Sequence, residues 1–224
     1  MSRITEHKLF EIFKEKRGRR IFTKNLVRGR APFAERLVRD KGTEYREFDP
    51  TRSKLAASIM KGSLNIGIKQ NDVVLYLGVA HGYTASYISD MIGENGLLFG
   101  IDPATRVVRD LVFLSNDRKN IVPILANANK PNTYSNRICQ ADIIIQDVSQ
   151  KNQLEIFRKN VNTFLKKGGY GLLAIKARSI DMSRNPKEIF IEFRKQLERE
   201  YTVIDYRILD PFEKDHCMII IKNQ

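Results

Sequence analysis

No apolar stretch in this chain approaches the roughly 20 residues needed to cross a bilayer, and its first ten, "MSRITEHKLF", lack the apolar core of a secretion signal. A helical membrane protein is excluded, and a cytoplasmic one is expected. Cysteine is scarce: Cys139 and Cys217 are the only two, and neither sits in a closely spaced Cys or Cys/His cluster. Two reduced thiols in or near the core are expected, not a disulfide framework. With His7, His81 and His216 as the only histidines, a structural zinc site would need an unusual ligand set, so no metal is expected. The G-x-G-x-x-G fingerprint of dehydrogenases is missing, which disfavours NAD. Repeats, low-complexity tracts and long linkers are missing too. A chain of 224 residues is therefore sized for one large core, or for a main domain with a small appendage.

Positive charge is what the chain has in excess. Thirty-nine Lys and Arg against 26 Asp and Glu give a net +13 and a pI near 9.8, so polyanionic partners are expected. Residues 1–54 alone carry a net +8. Such a field attracts phosphate backbones without regard to sequence, and salt weakens it. An anionic membrane is the less favoured target, because no basic amphipathic helix with an aromatic face is evident.

Short alternations, "HKLFEIF", "RRIFTKNL" and "TEYREF", separated by clusters of charge, predict a small antiparallel β unit over residues 1–50. At "DPTRSKLAASIMKG" the rhythm becomes helical, and a boundary follows near residue 50, with a larger domain over 51–224. From residue 71 apolar runs alternate with helical periods, as in "DVVLYLG", "TASYISDMIG", "GLLFGID" and "ADIIIQDV". Strands without strict polar alternation are expected in a parallel sheet covered on both faces. The last two runs, "YTVIDYRIL" and "HCMIIIK", are joined only by "DPFEKD", too short for a crossover helix, so they form a hairpin with one antiparallel strand. The expected fold is α/β: a seven-stranded, mostly parallel Rossmann-like sheet of the kind used by S-adenosylmethionine (SAM) dependent methyltransferases, plus the small N-terminal β domain.

The turn "GVAHGYT" ends the first strand of that sheet at Gly78 and enters a helix after Gly82. Glycines let backbone approach a ligand closely, and a helix N-terminus offers free N–H groups to an anion. A tight turn that merely needs small residues satisfies the same motif. Its position adds weight, since the second strand ends in Asp102, 20 residues after Gly82, where an acidic side chain can accept both ribose hydroxyls of an adenosine cofactor. Polar groups also end later strands: Asp147 the fourth and Lys176 the fifth. Lys54 opens the preceding helix and His216 lies in the final hairpin. Each has an ordinary solvated or core explanation, and only joint placement at one sheet edge would make them a catalytic group.

"YREFDPTRSKLAASI", "VLYLG", "KNIVPIL", "FLKKGGYGLLAIKARSID" and "FEKDH" together resemble archaeal fibrillarin, the 2′-O-methyltransferase subunit of C/D guide-RNA ribonucleoproteins. The resemblance runs from about Ala34 to the C-terminus and more loosely before it. It implies a SAM pocket at Gly78, Gly82, Tyr83, Thr84, Asp102, Pro103, Asn127, Ala128, Asp147, Val148, Ser149 and Gln150. It also implies a catalytic group of Lys54, Asp147, Lys176 and His216, with Lys176 activating or orienting the ribose 2′-hydroxyl. The implied partners are the guide RNA, its rRNA or tRNA target, and the scaffold and RNA-binding proteins of the particle, in an archaeal-type cytoplasm.

Several positions depart from the family pattern. A small residue becomes His81, a threonine becomes Tyr83, Glu becomes Asp102, an aromatic becomes Pro103, and "DAR" becomes "NAN" with Asn127 in place of a carboxylate. Gln146 stands where Glu precedes Asp147. An RNA methyltransferase with a weakened cofactor pocket is expected. The alternatives are a non-catalytic subunit of an RNA particle that has lost SAM binding, and a stand-alone tRNA or rRNA methyltransferase. The last is disfavoured, because no dedicated base-reading domain is visible.

Overall fold

The computed structural model describes residues 3–224, which form two sheets. The N-terminal sheet is antiparallel throughout. Its strands are β1 (Ile4–Glu6), β2 (Phe13–Glu15), β3 (Ile21–Lys24), β4 (Leu37–Asp40) and β5 (Thr43–Glu47), in the order β1-β2-β3-β5-β4. "HKLFEIF" is mostly a turn and not a strand: only Phe13 enters β2, and Glu11 adopts a φ of 53°. Leu9 and Ile12 are instead drawn into the main core, which outweighs their alternation. β1 and β4 are three and four residues long, too short to register as periods in the sequence.

The larger unit begins with helix α1 (Lys54–Met60), capped by Ser53, whose hydroxyl accepts the Ala56 N–H. Strands β6 (Val73–Leu77), β7 (Leu97–Asp102), β8 (Ile121–Leu125) and β9 (Ala141–Gln146) follow, with α2 (Tyr83–Ile92) and α3 (Thr105–Asp117) between the first three. Then come α4 (Gln153–Phe164), β10 (Leu165–Lys176), α5 (Ala177–Ile180), α6 (Pro186–Leu197), β11 (Thr202–Ile208) and β12 (His216–Lys222). The strand order is β11-β12-β10-β9-β6-β7-β8, and β12 alone runs antiparallel to its neighbours. The chain starts at β6, winds outward through β7 and β8, then returns to the other side at β9. That reversal places the topological switch between β6 and β9, where doubly wound sheets bind ligands.

Side chains alternate between two apolar layers, and the parity fixes which residues can meet. Val74, Tyr76, Ile143, Ile145, Leu172, Ala174, Met218 and Ile220 pack with α1, α2 and part of the N-terminal unit. Leu75, Leu77, Ile144, Leu173 and Ile175 pack on the other face with α4 and α6. The N-terminal sheet is fastened to α2 by buried charge. Arg46 reaches Asp90 at 2.8 Å and Glu35 at 2.5 Å, and Arg118 reaches the other Asp90 oxygen at 2.6 Å. Thr23 Oγ1 donates to Asp90 at 2.8 Å, and the Leu26 N–H at 3.0 Å. Burial works against the charge on Arg46, but Asp90 and Glu35 outweigh it, and its pKa is raised.

Cys217 is buried, and burial raises its thiol pKa well above the ordinary value. Cys139, expected in or near the core, is exposed, because it lies in the loop before β9 and not in a strand. No helix of the described residues is long and apolar enough to cross a membrane.

Candidate functional site

Parity brings four polar side chains to one edge. Asp147 follows Ile143 and Ile145 in alternation, Lys176 follows Leu172 and Ala174, and His216 precedes Met218 and Ile220, so all three leave the sheet on the α1 face. Lys54 opens α1 on that face, and its Nζ donates to Asp147 Oδ2 at 2.9 Å. Lys176 and His216 are partners across β10 and β12. Ala177 N–H donates to the Asp215 carbonyl at 3.1 Å, so the Lys176–His216 pair is the non-hydrogen-bonded kind, in which side chains lie closest.

The imidazole of His216 holds the Lys214 carbonyl through Nδ1 at 2.6 Å. Its pKa is lowered from 6.5, first by burial and then by Lys54, against the opposing pull of the Lys214 carbonyl, Glu213 and Asp147. A neutral ring at pH 7 follows. Lys176 Nζ makes no ion pair or hydrogen bond among the described residues, so its amine is available to a ligand.

The glycine turn is built for close approach. Gly78 has a φ of +75°, and a Cβ there would meet the Asp147 carbonyl oxygen at 2.4 Å. Only glycine lets the ends of β6 and β9 touch in this way. Gly82 caps α2 at a φ of +87°, against the side chains of Leu111 and Leu114. Asp102 accepts the Ala80 N–H at 3.2 Å and the Ala104 N–H at 3.0 Å, one on each carboxylate oxygen. Each oxygen keeps acceptor capacity for a diol. Val148 and Ala128 supply buried apolar wall, whereas Pro103, Asn127 and Ser149 are exposed. A carboxylate facing free helix-start N–H groups beside small apolar walls is a donor set that suits an adenosine-containing cofactor such as SAM.

Several sequence expectations change in detail. The Tyr83 ring packs on Phe33 at 5.3 Å and lies under the Arg52 guanidinium at 4.2 Å. Its hydroxyl accepts the Asp49 N–H at 3.3 Å. His81 is exposed and pairs with Asp110 at 2.8 Å, on α3. Asn127 Oδ1 accepts the Asn129 N–H at 2.9 Å, a local turn bond that occupies part of the acceptor. Gln150 is half-buried on the same loop as Ser149.

Three participants escaped the sequence reading. Tyr76 is buried on the α1 face of the sheet, and burial and the Asp147 charge drive its pKa far upward. Thr84 Oγ1 donates to the Ser53 cap at 2.9 Å. That bond ties the start of α1 to the start of α2. Ser53 could have been recognised as a helix cap, but a tyrosine inside "VVLYL" gives no hint of its neighbours. Gln153 is the third, fully buried behind the same edge. Among the described residues, no group of three or more His, Cys, Asp or Glu is placed to hold a metal ion.

The fibrillarin family model matches residues 3–224. A Thermococcus sibiricus protein named fibrillarin-like rRNA/tRNA 2′-O-methyltransferase is 44% identical over 222 residues, 98% of each chain. The crystal structure of Aeropyrum pernix fibrillarin with natively bound S-adenosyl-L-methionine superposes with a TM-score of 0.89 at 41% identity, covering 97% of both chains. A fibrillarin solved in complex with Nop5p superposes at 0.87 with 33% identity, covering 96% of this chain and 99% of that one. With the family model matching the whole described length and a relative 44% identical over 98% of each chain, this chain belongs to the fibrillarin family.

Proposed function

We infer that this protein transfers a methyl group from SAM to a ribose 2′-hydroxyl of rRNA and tRNA. The nucleotide is selected by a C/D guide RNA in a particle that also contains a scaffold protein and an RNA-binding protein. The observation that carries this reading is the convergence of the Lys54–Asp147 ion pair with Lys176 and His216 at the edge of the switch point. The names of its relatives, the bound SAM of the Aeropyrum structure and the Nop5p complex support the cofactor, the substrate class and the protein partner.

When bound, SAM supplies an electrophilic methyl group on a sulfonium. In this chain, Asp102 would receive the cofactor ribose, with the N–H groups of Tyr83 and Thr84 at the start of α2. Gly78, Gly82 and Ala128 would let the backbone close on it, with Val148, Ser149, Gln150, Asn127 and Pro103 around the rim. Methyl transfer needs alignment above all, with the nucleophile about 3 Å from the methyl carbon and in line with the breaking bond. Lys176 is the group placed to hold the 2′-hydroxyl and help its proton leave. Asp147 stays fixed by Lys54, and neutral His216 stands opposite Lys176 without adding a third cation. The +13 charge attracts the RNA backbone, and discrimination against DNA falls to contacts at the 2′-hydroxyl itself.

The test is calorimetry of SAM with the free protein, followed by methyl transfer in a reconstituted guide-RNA particle. Saturable binding and guide-dependent transfer are expected. Absence of SAM binding in both settings would establish the alternative, a particle subunit that keeps the fold and has lost the cofactor.

A further inference from the structure

Strand β9 stops at Gln146, in register with Leu173, whereas β10 runs on to Lys176. Ala174, Ile175 and Lys176 therefore overhang the end of their parallel neighbour. On the other side, Lys176 forms a non-hydrogen-bonded pair with His216, which turns its N–H and C=O away from β12 and toward the missing strand. Buried backbone groups in that position need partners. The carbonyl, at the N-cap of α5, opens that helix, and one side chain serves the N–H and the carbonyl's second lone pair. Gln153 Oε1 accepts the Lys176 N–H at 3.1 Å, and Gln153 Nε2 donates to the Lys176 carbonyl at 3.2 Å. The amide thus takes the place of the peptide that β9 would have supplied.

Gln153 is itself held. It is the first residue of α4, fully buried, and Gln146 Nε2 donates to its carbonyl at 2.7 Å. Gln146 and Gln153 lie on the α4 face, behind the edge that carries the reactive groups. The loop from Asp147 to Gln150, where the cofactor is placed, ends just before this glutamine. Fixing both polar groups of one residue fixes the orientation of its Cα–Cβ bond, and with it where the Lys176 amine can reach. A displacement of about 1 Å in a reacting group can cost about a hundredfold in rate.

We propose that Gln153 is a positioning residue for Lys176, clamping its backbone from the rear face of the sheet so that the amine meets the ribose hydroxyl. The proposal rests on the reading of Lys176 as catalytic. The experiment compares wild type with Gln153→Leu, Gln153→Glu and Lys176→Ala in the full chain. SAM affinity is measured by calorimetry, exchange of the Lys176 amide hydrogen by NMR, and single-turnover transfer in the reconstituted particle.

Leucine fills the site without donating or accepting. Gln153→Leu is expected to speed Lys176 amide exchange at least about tenfold and to slow transfer about ten- to a hundredfold, with SAM affinity unchanged within about threefold. Transfer at the wild-type rate overturns the proposal, and so does a loss of rate matched by an equal loss of SAM affinity. Should Gln153→Leu not fold, Gln153→Glu decides. A protonated carboxyl donates and accepts as the amide does, whereas a carboxylate cannot donate to the Lys176 carbonyl. Burial raises the pKa of such a carboxyl. The ratio of its rate to that of wild type at the same pH is expected to rise from about pH 8 to about pH 6, and a flat ratio overturns the proposal. Full transfer by Lys176→Ala would instead refute the catalytic reading of Lys176, with the exchange measurement still deciding the clamp.

Discussion

Gly78 and the main chain of Asp147 approach so closely that a single added carbon on the glycine would meet the carbonyl oxygen at 2.4 Å. The glycine turn after β6 and the loop that carries Asp147 are thus one packed unit. Gly78→Ala faces two penalties: the left-handed φ of +75°, worth about 1–2 kcal/mol, and the collision itself. The expected result is a SAM affinity lowered at least about tenfold, with a lowered melting temperature. Unchanged affinity by calorimetry would mean that the two loops can part without harm to the site.

Lys176→Ala removes an amine that has no structural hydrogen bond or ion pair among the described residues, so the fold should tolerate the change. Single-turnover transfer in the particle is expected to fall by about a hundredfold or more, while SAM affinity stays within a few-fold. A parallel fall in both would assign Lys176 a role in cofactor binding.

Asp90→Asn tests the seam between the two sheets. Asp90 serves Arg46, Arg118, Thr23 and the Leu26 N–H together, and the side chains of both arginines and of Asp90 are essentially without solvent contact. Neutralising the carboxylate leaves two guanidinium groups buried side by side. A loss of about 3–5 kcal/mol is expected in denaturant unfolding, monitored as one transition because the N-terminal unit shares its core with α1 and α2. Two separate transitions would show that the N-terminal sheet unfolds by itself.

How the sequence displayed these features follows from their range. Strands such as "ADIIIQD" and helices such as "NQLEIFRKNVNTF" carry their period locally, so the alternation of the larger unit and its terminal hairpin could be read directly. The residues alone showed only that Asp147, Lys176 and His216 end or begin strands; it was the family resemblance that implied they act with Lys54 as one group. Long-range pairings left no such mark. The resemblance implied Tyr83 for the pocket, and nothing in the turn announced that its ring packs on Phe33 and under Arg52, residues that only the tertiary fold brings near. Gln153 was hidden for the same reason: its role depends on where β9 stops relative to β10, and register is not written in either strand alone.

His216 gives the pH dependence. Its pKa lies below 6.5 because burial and the nearby Lys54 disfavour the imidazolium, although the Lys214 carbonyl, Glu213 and Asp147 pull the other way, and Lys176 stands opposite it across the strands. A base with a depressed folded pKa binds fewer protons folded than unfolded. The stability it contributes is fully present above 6.5 and is lost as pH falls through the folded value. Protonation would also add a third cation beside Lys54 and Lys176. Transfer by wild type, measured by single turnover with the particle intact, is therefore expected to fall on the acid side of 6.5. His216→Asn keeps a polar group and cannot titrate, so its rate is expected to be lower near neutrality but to lack that acid limb. An identical acid limb in the variant would assign the titration to another group and leave His216 a structural role in the hairpin.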